Sequence, residues 1–466
     1  MGDGTYERET IVAVATPAGR GGIGVVRVSG ADALGVVAPL LRLKRPLAAG
    51  RARFAEVLDT ATDEVLDEAV VTYFAGPRSY TGEDVVEVAA HGAPVLLEYL
   101  LRACCAGGAR LAEAGEFTQR AFLAGRIDLT QAEAVGDLIE ASTLEQARVA
   151  ARQMGGALSR EVGPVKERLV FLIAGLEAGI DFAEDDIDLM QKDQIQLQIA
   201  EVEEPLRRLE QSFAYGRIVR EGFQLALVGR PNAGKSSLFN RLLRRERAIV
   251  TASPGTTRDP IAERVSLEGI PVELVDTAGL RGAVGDAELD EAERMGIAKS
   301  REAMADAAVL LLVVDATEAL DAEDVAIVRD AAGRSLVVVL NKMDMLGADE
   351  EGEAERLLRE LGVERVVRTS ALMGAGVKEL RGAILATLAT ASGESSVMVT
   401  NVRQHRAVVE TLASLAAAGV AVERGVPHEM VLLDLYAALS AMDSLTGATT
   451  TDDILHLIFG RFCIGK

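Results

Sequence analysis

Short runs of β-forming residues dominate the first quarter of the chain. They lie at 11–15, 24–28, 69–74 and 84–89, and Gly, Pro and Asp signals separate them. Runs of this length between turn-forming residues are typical of strands. The pattern predicts an α+β domain over residues 1–117.

Helical spacing of apolar residues replaces this pattern in two later stretches, 118–216 and 387–466. In the first stretch, apolar side chains recur at heptad-like intervals, at Val165, Leu169, Leu172, Leu176 and Ile180. The second stretch is rich in Ala and Leu and ends in the short tail FCIGK. Both stretches are predicted to be helical.

The stretch between them, 217–386, alternates apolar strand runs with polar, helix-forming segments. The runs are FQLALV, VELVD, AVLLLVVD and SLVVVLN. Such alternation predicts a doubly wound, mainly parallel sheet. Since the termini of an inserted domain usually lie close together, the simplest arrangement is one discontinuous helical domain that carries this α/β module as an insertion. Two separate helical bundles are the alternative. The predicted fold class is therefore multidomain, α/β and α.

Composition limits the classes of protein that remain. The chain has 466 residues, 49% hydrophobic and 26% charged, which predicts a soluble protein of about two to four domains. No apolar run reaches the roughly 18 residues of a membrane span, and three cysteines cannot build a disulfide framework, so a cytoplasmic protein without a membrane partner is predicted.

The formal net charge of -22 argues against extensive nucleic-acid binding. Any RNA contact is therefore expected to be local. The stretches 207–220 and 241–247 are basic, but helix faces of mixed charge explain such runs equally well.

The segment GRPNAGKS, Gly229 to Ser236, follows one predicted strand and precedes a helical run, as a P-loop does. Lys235 would supply a positive charge to the β- and γ-phosphates, and the Ser236 hydroxyl would ligate Mg²⁺. The predicted nucleotide contacts in this loop are Asn232, Ala233, Gly234, Lys235, Ser236 and Ser237.

Two segments downstream stand where the switch regions of a GTPase are expected. The first, GTTRD, offers Thr257 to close over Mg²⁺, and the second, VELVDTAG, ends in switch II. The predicted contacts are Thr251, Ala252, Ser253, Pro254, Gly255, Thr256 and Thr257, then Asp276, Thr277, Ala278 and Gly279. Taken alone DTAG is a weak signal, because Asp and Gly end many strands.

The segment NKMD, Asn341 to Asp344, follows another apolar strand directly. The Asp344 carboxylate can accept two hydrogen bonds from guanine, a pair that adenine does not offer, so the wrong base would leave it unpaired. Asn341, Lys342 and Asp344 are therefore predicted to contact the base, as are Ser370, Ala371 and Leu372 after the next short strand. Together these motifs predict a GTP-hydrolysing enzyme.

With these motifs assembled, the chain resembles the MnmE (TrmE) family of bacterial and organellar tRNA-modification GTPases over nearly its whole length. Four features carry the resemblance: ATPAGRGGIGVVRVSG at 15–30, TGEDVVEVAAHG at 81–92, GRPNAGKSS, and the terminal CIGK at 463–466. The resemblance implies a homodimer whose GTPase domains meet around potassium. It makes Asn232, Thr251, Ser253 and Thr256 potassium ligands, and it makes Glu293 the residue that orients the attacking water. Glu288 and Glu291 lie in the same acidic run, which a solvated helix start would also explain.

The resemblance also implies that the N-terminal domain binds a reduced folate, such as 5,10-methylene-tetrahydrofolate. It puts Arg27, Glu87, Arg126 and Lys466 at the ligand positions. Arg27 and Glu87 are charged residues within apolar strand runs, so the alternatives are that they pair with each other or face solvent. Cys463 is either a catalytic nucleophile or base, with its role unknown, or a buried free cysteine.

The implied activity is modification of tRNA. With an FAD-containing partner, MnmG (GidA), a protein of this family would form a 5-carboxymethylaminomethyl-type group at C5 of the wobble uridine, using a one-carbon unit from the folate. One rival hypothesis is a switch GTPase in ribosome assembly that uses no folate. Another is a metabolic folate enzyme with a regulatory GTPase insert.

Overall fold

The computed structural model describes residues 9–181, 190–243, 262–276, 307–331, 333–346, 352–388 and 397–448, together with 455, 458–460 and 462–465. These residues fall into two compact units. The first is drawn from Met1–Gly136, Gln153–Arg160 and Ser440–Lys466, and the second from Asp137–Arg152 and Glu161–Leu439.

The first unit contains a seven-stranded sheet in the order β3-β4-β5-β6-β2-β1-β7. Its strands are β1 Ile11–Val14, β2 Gly21–Ser29, β3 Leu41–Leu43, β4 Arg51–Leu58, β5 Val65–Phe74, β6 Val85–Gly92 and β7 Arg110–Leu111. Neighbouring strands are antiparallel except β1 and β7, which are parallel. One face buries alternate residues such as Val28, Val71 and Val88 in an apolar core. The predicted α+β character is confirmed.

Four helices accompany this sheet in sequence: α1 Ala33–Val37, α2 Pro94–Ala106, α3 Glu116–Leu123 and α4 Leu129–Glu140. Leu97 and Leu100 of α2 join the sheet core. A buried ion network fastens α3: the Arg120 guanidinium lies 2.9 Å from Glu83 and 2.8 Å from Glu116. Because a buried charge that loses its partner is strongly destabilising, this network restrains the loop that carries Glu83.

The described C-terminal residues pack onto the first unit as well. Leu455 and Phe459 are buried against Leu129 of α4. Ile464 then forms an antiparallel bridge with Ala114. The tail therefore runs back beside the N-terminal sheet.

Long helices follow in sequence: α5 Leu144–Met154, α6 Ala157–Asp181 and α7 Lys192–Glu221, and near the C terminus α12 Val402–Glu423 and α13 His428–Thr446. The heptad-like positions of α6 are buried as their spacing predicts, with Val165 3%, Leu169 0%, Leu172 0% and Leu176 1% exposed. Ile180, the last of the series, is half-buried.

Helices α7 and α12 pack closely. The rings of Phe213 and His405 stack with centroids 4.0 Å apart, and a Cβ on Gly216 would meet the Val399 carbonyl oxygen at 2.1 Å. By length and mean hydropathy α12 is the one described helix that could cross a membrane. Core helices of soluble proteins pass the same test, and α12 buries Gln404 and Thr411 among its apolar residues.

The module between these helical stretches is a six-stranded sheet in the order β13-β12-β11-β8-β10-β9. Its strands are β8 Phe223–Val228, β9 Ala262–Leu267, β10 Ile270–Asp276, β11 Val309–Asp315, β12 Leu336–Asn341 and β13 Val366–Arg368, and its helices are α8 Lys235–Leu243, α9 Ala322–Asp330, α10 Glu353–Glu360 and α11 Val377–Leu388. All pairings are parallel except β9 with β10. Those two strands form a hairpin through Glu268 and Gly269, which both have positive φ. The doubly wound, mainly parallel sheet is confirmed.

Within the second unit, helix α5 contacts this six-stranded module at the β9–β10 turn. The Thr143 hydroxyl donates to the Gly269 carbonyl at 2.6 Å. The Gln146 amide donates to the Arg220 carbonyl, where α7 ends, at 2.7 Å. Val149 of α5 lies in the same apolar core as Leu267. Helix α5 is therefore bonded to the hairpin that connects the two predicted switch regions.

Candidate functional site

The P-loop, residues 229–234, connects β8 to α8 by an unusually tight path. Gly229 has φ +134°, and a Cβ there would lie 2.2 Å from the Val313 carbonyl oxygen of β11. Gly234 has φ +96°, and a Cβ there would lie 2.1 Å from the Asn341 amide nitrogen. Only glycine fits both positions, because neither the backbone angle nor the space admits a side chain. The loop is thus held against β11 and the end of β12.

Lys235 begins helix α8 and is 6% exposed. Its ammonium group donates to the carbonyl oxygens of Gly229 at 2.7 Å and Arg230 at 2.6 Å. The charge therefore sits inside the curve of the loop, beside the backbone amides at the start of a helix, which favour anions. Ser236 and Ser237 follow it and are exposed, so the Ser236 hydroxyl is accessible to a magnesium ion.

Asn341 joins the P-loop to the loop after β13. It is 2% exposed, and its amide donates to the Ala233 carbonyl at 2.9 Å. Its side-chain oxygen accepts from the Ala371 amide at 2.9 Å and the Thr369 hydroxyl at 3.3 Å. One buried side chain therefore fixes the separation of the predicted phosphate and base contacts.

The residues predicted to recognise the base lie on two neighbouring loops. Asp344 is exposed in the short turn Met343–Met345 and has no hydrogen-bond partner among the described residues. Ser370 is buried, and its hydroxyl accepts from the Met373 amide at 3.0 Å. Leu372 is 76% exposed at the rim. This arrangement leaves both Asp344 oxygens available to a ligand.

Sequence reasoning missed Asp315, the last residue of β11. It pairs in register with Asn341 on the adjacent strand and lies 2.6 Å from the Lys342 ammonium group. Burial alone would raise the pKa of Asp315, but hydrogen bonds from Lys342 and Thr317 outweigh that effect and lower it. The sequence signal that could have marked Asp315 is its position as the acidic last residue of an apolar strand, a position that Asp276 also has in β10.

Asp315→Asn is expected to reduce stability by about 1–2 kcal/mol at neutral pH, because it removes a charged hydrogen-bonded pair. Since the folded-state pKa is lowered, the pair stabilises the fold above the unfolded pKa of about 3.9, and the contribution is lost as pH falls through the folded pKa. Unfolding of both proteins by urea, measured from about pH 7 down to about pH 2.5, checks this, because the difference should hold above about pH 4 and shrink below it. A difference that grows towards acid pH would contradict it.

Arg241 and Arg230 are two further contributors that the sequence did not single out. Arg241 of α8 donates to the carbonyls of Ala371, at 3.0 Å, and Leu372, and so supports the loop after β13. Arg230 in the P-loop lies 3.0 Å from the fully buried Asp324. Both arginines fix loops through partners distant in sequence, which explains why no motif marks them.

Several predicted contacts lie outside the described residues. They are Thr251, Ala252, Ser253, Pro254, Gly255, Thr256, Thr257, Thr277, Ala278, Gly279, Glu293 and Lys466. Asp276 is the last residue of β10. Asn232 is exposed in the P-loop with φ +62°. Their predicted roles with Mg²⁺, potassium and water therefore stay predictions.

Arg27 and Glu87 form a second site, in the first unit. They face each other in register on β2 and β6, and the Arg27 Nε lies 2.8 Å from Glu87 Oε1. The guanidinium carbon lies 5.9 Å from the ring centroid of Tyr80 and 5.6 Å from that of Phe117. Arg27 and Glu87 therefore pair with each other in the structure, which is one of the predicted alternatives.

The chain tail reaches this second site. Arg27 Nη1 donates to the Gly465 carbonyl at 3.3 Å. Cys463 lies two residues earlier and is exposed, so the alternative of a buried free cysteine is wrong. Arg126 donates to the Pro77 carbonyl at 2.6 Å. No cluster of potential metal ligands occurs among the described side chains. The second site therefore combines an ion pair, two aromatic rings and the tail.

A mainly parallel sheet whose P-loop is bonded to a guanine-recognition motif is typical of the P-loop GTPases, and the chain is of that class. Two family descriptions match it: "GTP-binding protein TrmE N-terminus" over residues 10–126 and "MnmE helical domain" over residues 129–463. The chain belongs to the MnmE (TrmE) family of tRNA modification GTPases.

Individual relatives agree over the full length. The tRNA modification GTPase MnmE of Koribacter versatilis (strain Ellin345) is 56% identical, and the match covers 98% of this chain and 99% of that protein. The protein of the same name from Aquifex aeolicus (strain VF5) is 42% identical over 98% of this chain and 100% of its own. Among solved structures, Aquifex aeolicus Era bound to GDP and AlF4⁻ is 25% identical and covers 41% of this chain and 66% of its own, with a TM-score of 0.28.

Proposed function

We propose that this chain is a cytoplasmic, potassium-stimulated GTPase that acts with an FAD-containing partner of the MnmG (GidA) type. Together they form a 5-carboxymethylaminomethyl-type group at C5 of the wobble uridine of certain tRNAs, with a one-carbon unit from a reduced folate. The chain is 56% and 42% identical, over 98% of its length, to two proteins named tRNA modification GTPase MnmE, and this supports the tRNA part of the proposal. The nucleotide site supports the GTPase part.

The observation that carries the proposal is the bridge made by Asn341. Its amide bonds to Ala233 in the P-loop and its oxygen to Ala371 in the loop after β13. A guanine nucleotide must satisfy phosphate and base contacts at once, so a fixed spacing between the two loops lowers the ordering cost of binding. Asp344, which has no hydrogen-bond partner among the described residues, then selects guanine.

The Arg27–Glu87 site supports the folate part. Glu87 Oε1 receives the arginine, while Oε2 has no hydrogen-bond partner among the described residues. A carboxylate oxygen in that state can accept from the amino-pyrimidine edge of a pterin. The rings of Tyr80 and Phe117 add apolar faces. A bound folate would supply the one-carbon unit, and these residues would hold and orient it.

The outer face of the N-terminal sheet supports a homodimer. Phe54, Val70, Ala89 and Val25 stand in register across β4, β5, β6 and β2. Phe54 is 59% exposed and Val70 45% exposed. Because alternate residues share a face, this apolar row runs beside Arg27 and Glu87. A second copy on this face would cover the row next to the folate site.

The hydrogen bond from Thr143 to Gly269 supports transmission of the GTPase cycle. It ties α5 to the turn between β9 and β10. Strand β9 follows the first switch segment in sequence, and β10 precedes the second. A displacement of either switch would move this hairpin against α5. GTP hydrolysis would thus drive a conformational change rather than form bonds in the tRNA product.

The decisive experiment compares GTP hydrolysis in potassium and in sodium at equal ionic strength, for the wild type and Asn232→Gly. Glycine removes the proposed ligand and keeps the positive φ of residue 232, which alanine would strain by about 1–2 kcal/mol. We expect potassium to stimulate the wild type at least roughly tenfold, because a fixed cation stabilises charge developing on the transferred phosphoryl group. The stimulation should disappear in the variant.

The affinity of each protein for GDP with Mg²⁺ is the control. It should be nearly equal for both, since the loop geometry is preserved. Equal hydrolysis rates of the wild type in the two salts would overturn the potassium mechanism and favour a switch GTPase in ribosome assembly.

A further inference from the structure

An acid-free segment of the N-terminal domain, residues 33–55, contains five cations: Arg42, Lys44, Arg45, Arg51 and Arg53. The whole chain carries a net charge of -22. Such a chain repels a polyanion at long range, so favourable contact requires a place where cations outnumber acids locally. This segment is such a place.

Most of the segment's cations have no carboxylate partner among the described residues. Arg42 pairs with Glu56 and Asp63. The other four, Lys44, Arg45, Arg51 and Arg53, form no ion pair with any described residue. We name these four the loop cations. Their charges are not neutralised within the described chain.

The basic stretch of α7 behaves in the opposite way. Arg207 lies 2.8 Å from Glu203, Arg208 3.8 Å from Glu204, Arg217 2.8 Å from Glu221 and Arg220 2.7 Å from Asp137. The mixed-charge alternative therefore holds for 207–220. Of these two basic regions, the loop cations are the one whose charges no described carboxylate pairs, and they therefore remain available to a ligand.

The loop cations lie at the margin of the sheet. Lys44 and Arg45 follow β3, the outermost strand, and Arg51 and Arg53 begin β4. Lys44, Arg45 and Arg51 are exposed. Arg53 donates to the Pro46 carbonyl at 3.5 Å, which brings the loop 44–50 beside the start of β4. The four charges thus form one surface rather than a dispersed set.

We propose that the loop cations bind the sugar-phosphate backbone of the tRNA substrate. Lysine and arginine hold phosphates with little dependence on base sequence, so the surface would position the RNA and leave recognition of the uridine to other residues. The inference rests on the proposed function, because it concerns how the RNA of that reaction is held. Charge complementarity favours RNA over an acidic protein face, since RNA repeats one phosphate at every nucleotide.

The test is the triple variant Lys44→Gln, Arg45→Gln, Arg51→Gln, titrated with an unmodified tRNA transcript that has uridine at the wobble position. We expect tRNA affinity near 150 mM salt to fall by roughly 10- to 100-fold, and the slope of log affinity against log salt to fall by about 2–3. Arg53 is left intact because it bonds to the loop. The GTP hydrolysis rate and thermal midpoint should match the wild type.

The matched control is Arg207→Gln, Arg208→Gln, Arg217→Gln, which removes three exposed but paired positive charges. It should retain wild-type tRNA affinity and salt slope. Equal loss in both variants would mean a general charge effect and would overturn the inference. An unchanged tRNA affinity in the triple variant would overturn the inference as well. If that variant then self-associated, the loop cations would be assigned to protection of the sheet edge. If it instead lost binding to the FAD-containing partner selectively, they would be assigned to that interaction. Failure of the wild type to bind tRNA would instead refute the tRNA part of the proposed function, and this inference with it.

Discussion

Asp344→Asn is expected to lower affinity for GTP by roughly 100-fold or more and to create affinity for xanthosine triphosphate. Each hydrogen bond to a charged acceptor contributes about 1.5–3 kcal/mol. Asparagine keeps one acceptor but replaces the other with a donor, which would oppose the guanine amino group. A site built around such a pair rejects the wrong base strongly, because its polar groups are left unpaired.

The geometry around Asp344 is the reason for the size of this effect. Its carboxylate is exposed and has no partner among the described residues that could substitute for the base. Xanthine has a carbonyl where guanine has an amino group, so one acceptor and one donor on asparagine match it. Calorimetric titration with guanosine and xanthosine diphosphates measures the exchange.

Asp344→Ala is the control for this exchange. It should lose guanosine nucleotides and gain no xanthosine binding, because alanine offers neither donor nor acceptor. If Asp344→Asn bound GDP as tightly as the wild type, Asp344 would not be the guanine-selecting residue.

Asn341→Ala is expected to weaken nucleotide binding and to lower the local stability of the fold. The total loss of free energy over the two effects should be roughly 2–5 kcal/mol. The change would leave two buried backbone groups, the Ala233 carbonyl and the Ala371 amide, without their partner. An unsatisfied buried group costs about 1–3 kcal/mol. Nucleotide affinity and hydrogen exchange at the P-loop and at 370–374 would report both effects.

Thr369→Val separates the bridge from general packing. It removes only the 3.3 Å bond from the Thr369 hydroxyl to Asn341 and keeps the two backbone bonds. A loss under about 1 kcal/mol is therefore expected. An effect as large as that of Asn341→Ala would show that the bridge to the P-loop is not what matters.

The nucleotide motifs were predictable because their determinants lie close together along the chain. Gly229, Gly234 and Lys235 act within one turn between β8 and α8, where backbone angle and helix start are local properties. The apolar spacing of α6 likewise predicted its buried face. Such local patterns can be recognised in the sequence without knowing which distant residues each segment contacts.

Strand β4 shows where local pattern was insufficient. Its sequence, RARFAEVL, carries three charged residues and did not register as a strand. It forms one because β5 pairs with it along its whole length, with Ala55 and Val57 turned into the core. Pairing across the sheet thus overrides a weak propensity.

The sequence by itself determined the α/β class of the GTPase module and the P-loop, and it marked the charged pair set in apolar strands. It also predicted the residues that contact guanine. Only the tertiary structure brought Asp315 beside Lys342, put Asn341 between two loops and joined Arg27 to Glu87 and the tail. It also left the loop cations without an ion-pair partner among the described residues. The physical reason is the range of the interactions. A turn or a helix face is set within a few residues, whereas ion pairs and bridging hydrogen bonds depend on strand order and register, which many residues set together.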